Sequence, residues 1–230
     1  MMTTMKLRTL VASVLAAAAC LASSARAEII GGVDFPQGAV SFADAVVSYA
    51  PVIVNNDPSA AHRVPANALG VPNHAGDNNC NNDPACTFVS LGDGGVLTLQ
   101  FVDNLLTGSG SNAFDLWIFE VGPDVEDTFV EVSSDGQNWT AVGKVFGGTR
   151  GIDIDAFGFG INSSLGYVRL RDDPIEGGNS GDTVGADIDA VGAISTIRVS
   201  NVPEPGSLAL MLPALGLLVG AMARTRRLRA

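Results

Sequence analysis

Positive charge is scarce in this chain, and most of it sits at the two ends. Seven of the 13 Lys and Arg fall before residue 28 or after residue 201, whereas 23 of the 24 Asp and Glu lie between. The central segment therefore holds 6 basic residues against 23 acids, a formal charge of −17 beside −11 for the whole chain. Phosphate backbones are bound by clustered Lys and Arg, so nucleic acid is excluded as a partner. Histidine is scarcer still: His62 and His74 are the only two, both in loops rich in Pro, Asn and Ala. No Gly-x-Ser-x-Gly elbow occurs, and nothing positions a Ser-His-Asp triad. An EF-hand loop is missing too, Asp153-Ile-Asp155-Ala-Phe-Gly158 being only a fragment of that pattern. No repeat of solenoid or propeller period is present. These absences argue against an enzyme and leave binding or structural roles.

The ends carry clear signals. Lys6 and Arg8 precede an apolar run from Leu10 to Leu21, followed by the small-x-small site Ala25-Arg26-Ala27. That order predicts a secretory signal peptide over 1–27, cleaved after Ala27. Its apolar run is too short to span a bilayer, which needs about 20 residues. A lipoprotein signal centred on Cys20 is the rival reading, but Ala17 stands where such signals usually have Leu. At the other end, residues 202–230 fall into three parts. Val202-Pro203-Glu204-Pro205-Gly206 stops any helix or strand, because its prolines fix φ and cannot donate to a ladder. An apolar span runs from Ser207 to Ala223, and Arg224, Arg226, Arg227 and Arg229 close the chain. Positive residues beside a span stay cytoplasmic, so the preceding domain would face outward.

Pro203, Glu204 and Pro205, the span, and the cluster of Arg224, Arg226 and Arg227 together resemble the PEP-CTERM sorting tail. That tail is found on exported proteins of Gram-negative, exopolysaccharide-producing bacteria. The resemblance implies recognition and tail removal by an exosortase, transient anchoring in the inner membrane, and a mature product at the cell surface or outside it. The Leu-Pro-x-Thr-Gly signal of Gram-positive sortases is absent.

Residues 28–201 are one domain's worth of chain. Val96-Leu-Thr-Leu-Gln-Phe101 alternates, placing Leu97, Leu99 and Phe101 on one face. Phe114–Glu120, Phe129–Ser133, Trp139–Val142, Tyr167–Arg171 and Ile188–Val199 read as further strands. Asp135-Gly136 between two of them is a hairpin signal. Glycine pairs mark loops, and Ser41–Val47 is rich enough in alanine to suit a helix instead. The pattern predicts an all-β, two-sheet antiparallel β-sandwich, flanked by an N-terminal signal helix and a C-terminal transmembrane helix. The order of Phe42–Tyr49, Ala68–Pro72, Val89–Leu99, Asp115–Glu120, Val130–Trp139, Tyr167–Asp172 and Gly185–Val191 resembles bacterial cell-surface proteins with a discoidin-like, galactose-binding-like domain. That likeness implies a jelly roll used for glycan or protein binding, with a structural calcium common in the fold.

Four acids stand out as candidate calcium ligands. Asp187 and Asp189 lie two apart on an expected strand, hence on one face, with Asp172 and Asp173 across a glycine-rich loop. The same residues also suit a solvated acidic loop. Trp139, just after the hairpin turn, is the candidate platform for a glycan, with packing as the alternative; Trp117 reads as core. Cys80 and Cys86 frame an Asn/Asp-rich loop, and export makes a disulfide the expectation over a metal site. Taken together, the sequence points to a non-enzymatic, exported binding or structural module of the exopolysaccharide or biofilm matrix, with exopolysaccharide or a surface glycan as partner. The competing reading is a secreted hydrolase acting on matrix polysaccharide, with Glu120 and Glu131 as its carboxyl pair.

Overall fold

A computed structural model of the protein describes residues 27–74, 86–122 and 126–199. The expected signal helix, the sorting tail and Cys80 lie outside the described residues. Among the described residues no helix is long and apolar enough to cross a membrane.

The chain is built almost wholly from strands: β1 (Glu28–Ile30), β2 (Val33–Phe35), β3 (Ala45–Ala50), β4 (Val89–Ser90), β5 (Val96–Gln100), β6 (Asn104–Leu106) and β7 (Leu116–Glu120). They continue with β8 (Asp127–Ser133), β9 (Thr140–Phe146), β10 (Arg150–Ile152), β11 (Tyr167–Asp172), β12 (Asp187–Ala193) and β13 (Thr196–Arg198). Helical turns are short and of 3-10 type. One of them, Gly38–Ser41, precedes β3, so the alanine-rich stretch Ser41–Val47 that suited a helix begins in a 3-10 turn and ends in a strand.

Two antiparallel sheets dominate. One has the order β10-β7-β12-β4 and the other β3-β5-β11-β8-β9. Strand β11 lies between β5 and β8, with Val168 opposite Leu99 on one side and Val132 on the other. Alternation does what the sequence predicts. Leu97, Leu99, Val130, Val168 and Leu170 from the five-stranded sheet meet Leu116, Ile118, Ile188 and Val191 from the four-stranded sheet in one buried cluster. The arrangement is compatible with a β-sandwich.

The other face of the four-stranded sheet is also covered. Phe119 and Ala190 point away from the main core and pack with Phe35 of β2 and with Phe42. The Phe35 and Phe42 ring centroids are 4.7 Å apart, and those of Phe42 and Phe119 5.9 Å. Trp117, read from the sequence as core, packs half-buried against this second cluster on the outer face of the sheet. Because β7 is apolar on both sides, alternation alone does not say which side faces the second sheet.

Candidate functional site

Charged groups gather at both ends of β7. At its C-terminal end stands Glu120, on the same side of the strand as Leu116 and Ile118 and only 7% exposed. Neither carboxyl oxygen of Glu120 has a hydrogen-bond partner among the described residues, and the same holds for the Oγ1 of buried Thr128. Burial, then the charges of Glu126, Asp187 and Asp172, push Glu120 from its ordinary 4.5 up to about 9. Burial and the charge of Asp172 lift Glu126 from 4.5 to about 7. Asp187 is also raised well above the carboxylate range, first by burial, although the Ser90 hydroxyl donates to it. At neutral pH, Glu120 is therefore a neutral acid.

Beside it opens a small cleft of about 270 Å³, lined by Gly31, Pro72, His74, Phe119, Glu120, Thr149 and Asp189. Phe119, Pro72 and Val121 supply apolar surface, and His74, Thr149 and Asp189 supply polar side chains. That mix suits a small hydroxylated ligand, the volume falling just below the ordinary range of about 300–1,000 Å³ for ligand pockets. The His74 ring is held by the Thr87 hydroxyl at 3.2 Å and packs edge-on to Phe88 at 5.5 Å.

The four acids proposed from sequence as calcium ligands take separate partners. Asp172 accepts from the backbone N–H of Gly94 at 2.8 Å and of Ala186 at 2.7 Å. This geometry needs the glycines: Gly185 has φ +75° and its backbone presses on Gly92, leaving no room for a side chain. Asp173 pairs with Lys144 at 2.6 Å, and Lys144 also reaches Asp127 at 2.6 Å. That ammonium holds the Asp173 carboxyl below its ordinary range. Asp189 accepts from the N–H groups of Asn73 and His74 at 3.1 and 3.2 Å. The pairing of β12 with β7 shifts register between Ile188 and Ala190, which makes Asp189 the extra residue of a bulge. The simple alternation that would put Asp187 and Asp189 on one face is thereby broken. Among the described residues the group of three carboxylates close enough to share an ion is Asp115, Asp153 and Asp155, and it contains none of those four.

Trp139 is half-buried, with the Arg169 guanidinium over its ring at 4.2 Å. Arg169 in turn donates through Nε to Glu131 at 2.7 Å. Glu131 is thus engaged by Arg169 on the five-stranded sheet, whereas Glu120 belongs to the four-stranded one. Cys86 packs with Phe88 and Val121.

At the N-terminal end of β7, Asp115 is fully buried. Its pairing strand delivers Asp153 and Asp155 to it. Sequence reasoning noticed the Asp153-x-Asp155 fragment but missed Asp115, whose only signal was a lone acid at the start of an apolar strand.

Residues 201–227 match the PEP-CTERM protein-sorting motif, which takes in Pro203, Glu204, Pro205, Arg224, Arg226 and Arg227. The motif marks an exported chain that passes through a membrane-anchored stage and is processed by exosortase. No curated protein matches the chain.

Proposed function

We propose that this protein is a non-enzymatic module of the cell surface or extracellular matrix, binding a saccharide of the exopolysaccharide in the cleft beside Glu120. The observation that carries the reading is the composition of that cleft on an exosortase-sorted chain. Phe119 and Pro72 offer an apolar wall, and His74, Thr149 and Asp189 offer donors and acceptors to hydroxyls. The strand order of the two larger sheets is compatible with a galactose-binding-like jelly roll, a fold that hosts many functions. Trp139, with one face taken by Arg169 on the five-stranded sheet, is not part of this cleft. A glycan array that includes the producing cell's own polysaccharide tests the reading. Binding weakened by His74→Ala and Thr149→Ala supports it, and no binding to any polysaccharide removes it.

One observation favours a second reading, a hydrolase of matrix polysaccharide: a carboxyl kept protonated at neutral pH is what a general acid requires. Release of reducing sugars from native exopolysaccharide, abolished by Glu120→Gln, would establish it over the binding module.

A further inference from the structure

Asp115, Asp153 and Asp155 each place a carboxylate oxygen within 4.8 Å of the other two. Strand pairing explains how distant residues meet. β10 runs antiparallel to β7 with Ile152 opposite Leu116, so the residues after β10 return beside the residue before β7. Backbone bonds fix the junction: Asp115 N–H donates to Ile152 O at 2.9 Å, and Ile194 N–H donates to Asp115 O at 2.7 Å. The side chains are oriented as well. Asp115 Oδ2 accepts from Ile154 N–H at 3.1 Å, and Asp153 Oδ1 accepts from Asp155 N–H at 3.0 Å. The Asp155 carboxylate accepts from Ser109 N–H at 2.8 Å and Gly110 N–H at 3.1 Å.

One atom is left over. Asp115 is fully buried, and its Oδ1 makes no well-aligned hydrogen bond among the described residues, although the Ser195 and Ser109 hydroxyls stand close enough to favour its charged form. A buried carboxylate oxygen without a well-aligned partner is costly, and two further carboxylates at this range add repulsion. A cation at their meeting point would remove both penalties.

We propose that Asp115, Asp153 and Asp155 hold a calcium ion that clasps the segment before β7 to the segment after β10. Calcium takes 6–8 oxygens at 2.3–2.6 Å, so two oxygens on one ion lie at most about 5 Å apart, which the observed limit of 4.8 Å meets. The donor set is all oxygen, without the nitrogen or sulfur that zinc and copper prefer. Three protein carboxylates also exceed the one or two that usually bind magnesium. Each ligand keeps free lone pairs, since a carboxylate offers about four acceptor positions. The site lies at the opposite end of β7 from the Glu120 cleft and does not depend on what that cleft binds. Export carries the chain from a calcium-poor cytoplasm to the outside, where a site with a Kd of about 1 mM or below can fill.

The test uses the full chain, purified in detergent and stripped with EGTA, then titrated with calcium chloride by calorimetry and melted with and without calcium. Expected are binding with Kd at or below about 1 mM, and a Tm raised by about 5 °C or more once calcium exceeds Kd about 100-fold. Asp153→Asn and Asp155→Asn each weaken binding by about tenfold or more while their melting in EGTA stays cooperative. Glu120→Gln binds calcium as the wild type does, which separates this site from the acids at the other end. An unchanged Tm and no heat with calcium overturn the proposal, as does wild-type affinity in both Asn variants. A rise in Tm as large with magnesium as with calcium overturns the identity of the ion.

Discussion

Replacing Glu120 by Gln should stabilise the domain, and by an amount that grows with pH. Between 4.5, its ordinary value, and about 9, its folded value, the folded chain holds a proton that the unfolded chain has released. Folding is then less favourable as pH rises, by about 1.4 kcal/mol per pH unit. Below 4.5 both states are protonated and Glu120 costs nothing on this account. At pH 7 the cost is about 3 kcal/mol, and above pH 9 it levels off at about 6 kcal/mol. Gln has the same shape and no proton to lose, so it escapes this dependence. Glu126, Asp187 and Asp172 titrate in both proteins, so the difference between the two curves isolates Glu120. The assay is urea unfolding of residues 28–201 from pH 5 to 9 in EGTA, followed by tryptophan fluorescence. Curves for wild type and Glu120→Gln that run parallel across this range would refute the argument, since they would mean that Glu120 ionises as a solvated carboxyl does.

Three further perturbations probe packing and backbone geometry. Leu170→Ala, in the shared core, should cost about 2–5 kcal/mol in the same urea assay at pH 6. Gly192→Ala would place a Cβ 2.8 Å from the Phe35 ring and 2.9 Å from the Phe42 ring, so it should cost about 1–3 kcal/mol through overpacking and alter near-ultraviolet circular dichroism. Asp172→Ala leaves Gly94 N–H and Ala186 N–H without their acceptor and should cost about 2 kcal/mol or more, with faster hydrogen exchange at Ala186 as its local signature.

The strands were readable because their signal is local. In β5 the sequence alternates Leu97, Thr98, Leu99, and both leucines are fully buried as that pattern requires. Asp135-Gly136 marks the β8–β9 connection for an equally local reason: the Asp135 carboxylate caps Gln137 and Asn138 N–H at 2.8 Å each, and Gly136 takes φ +71°. What sequence could not supply was pairing across distance. The bulge at Asp189 depends on how β12 sets against β7, and nothing in the run Asp187–Ala193 announces it. Asp172 looked like a metal ligand because its two N–H partners come from a glycine loop and from the residue before Asp187, neither visible from its own neighbours. Trp117 looked like core because β7 is apolar on both sides, and only the β1–β2 hairpin, folded over the outer face, shows where that ring goes. Asp115 was invisible for the same reason: its partners follow a different strand, β10, and only the ladder joins them.

The central claim, an exported module released from its tail by exosortase, is tested most directly by mass spectrometry of the mature protein from producing cells with and without the exosortase. The account predicts an extracellular or surface form in the wild type that lacks peptides from the 207–230 region, and retention of those peptides in a membrane-bound form when exosortase is absent. An intact C-terminus on the extracellular protein, or an identical product in both strains, would contradict it.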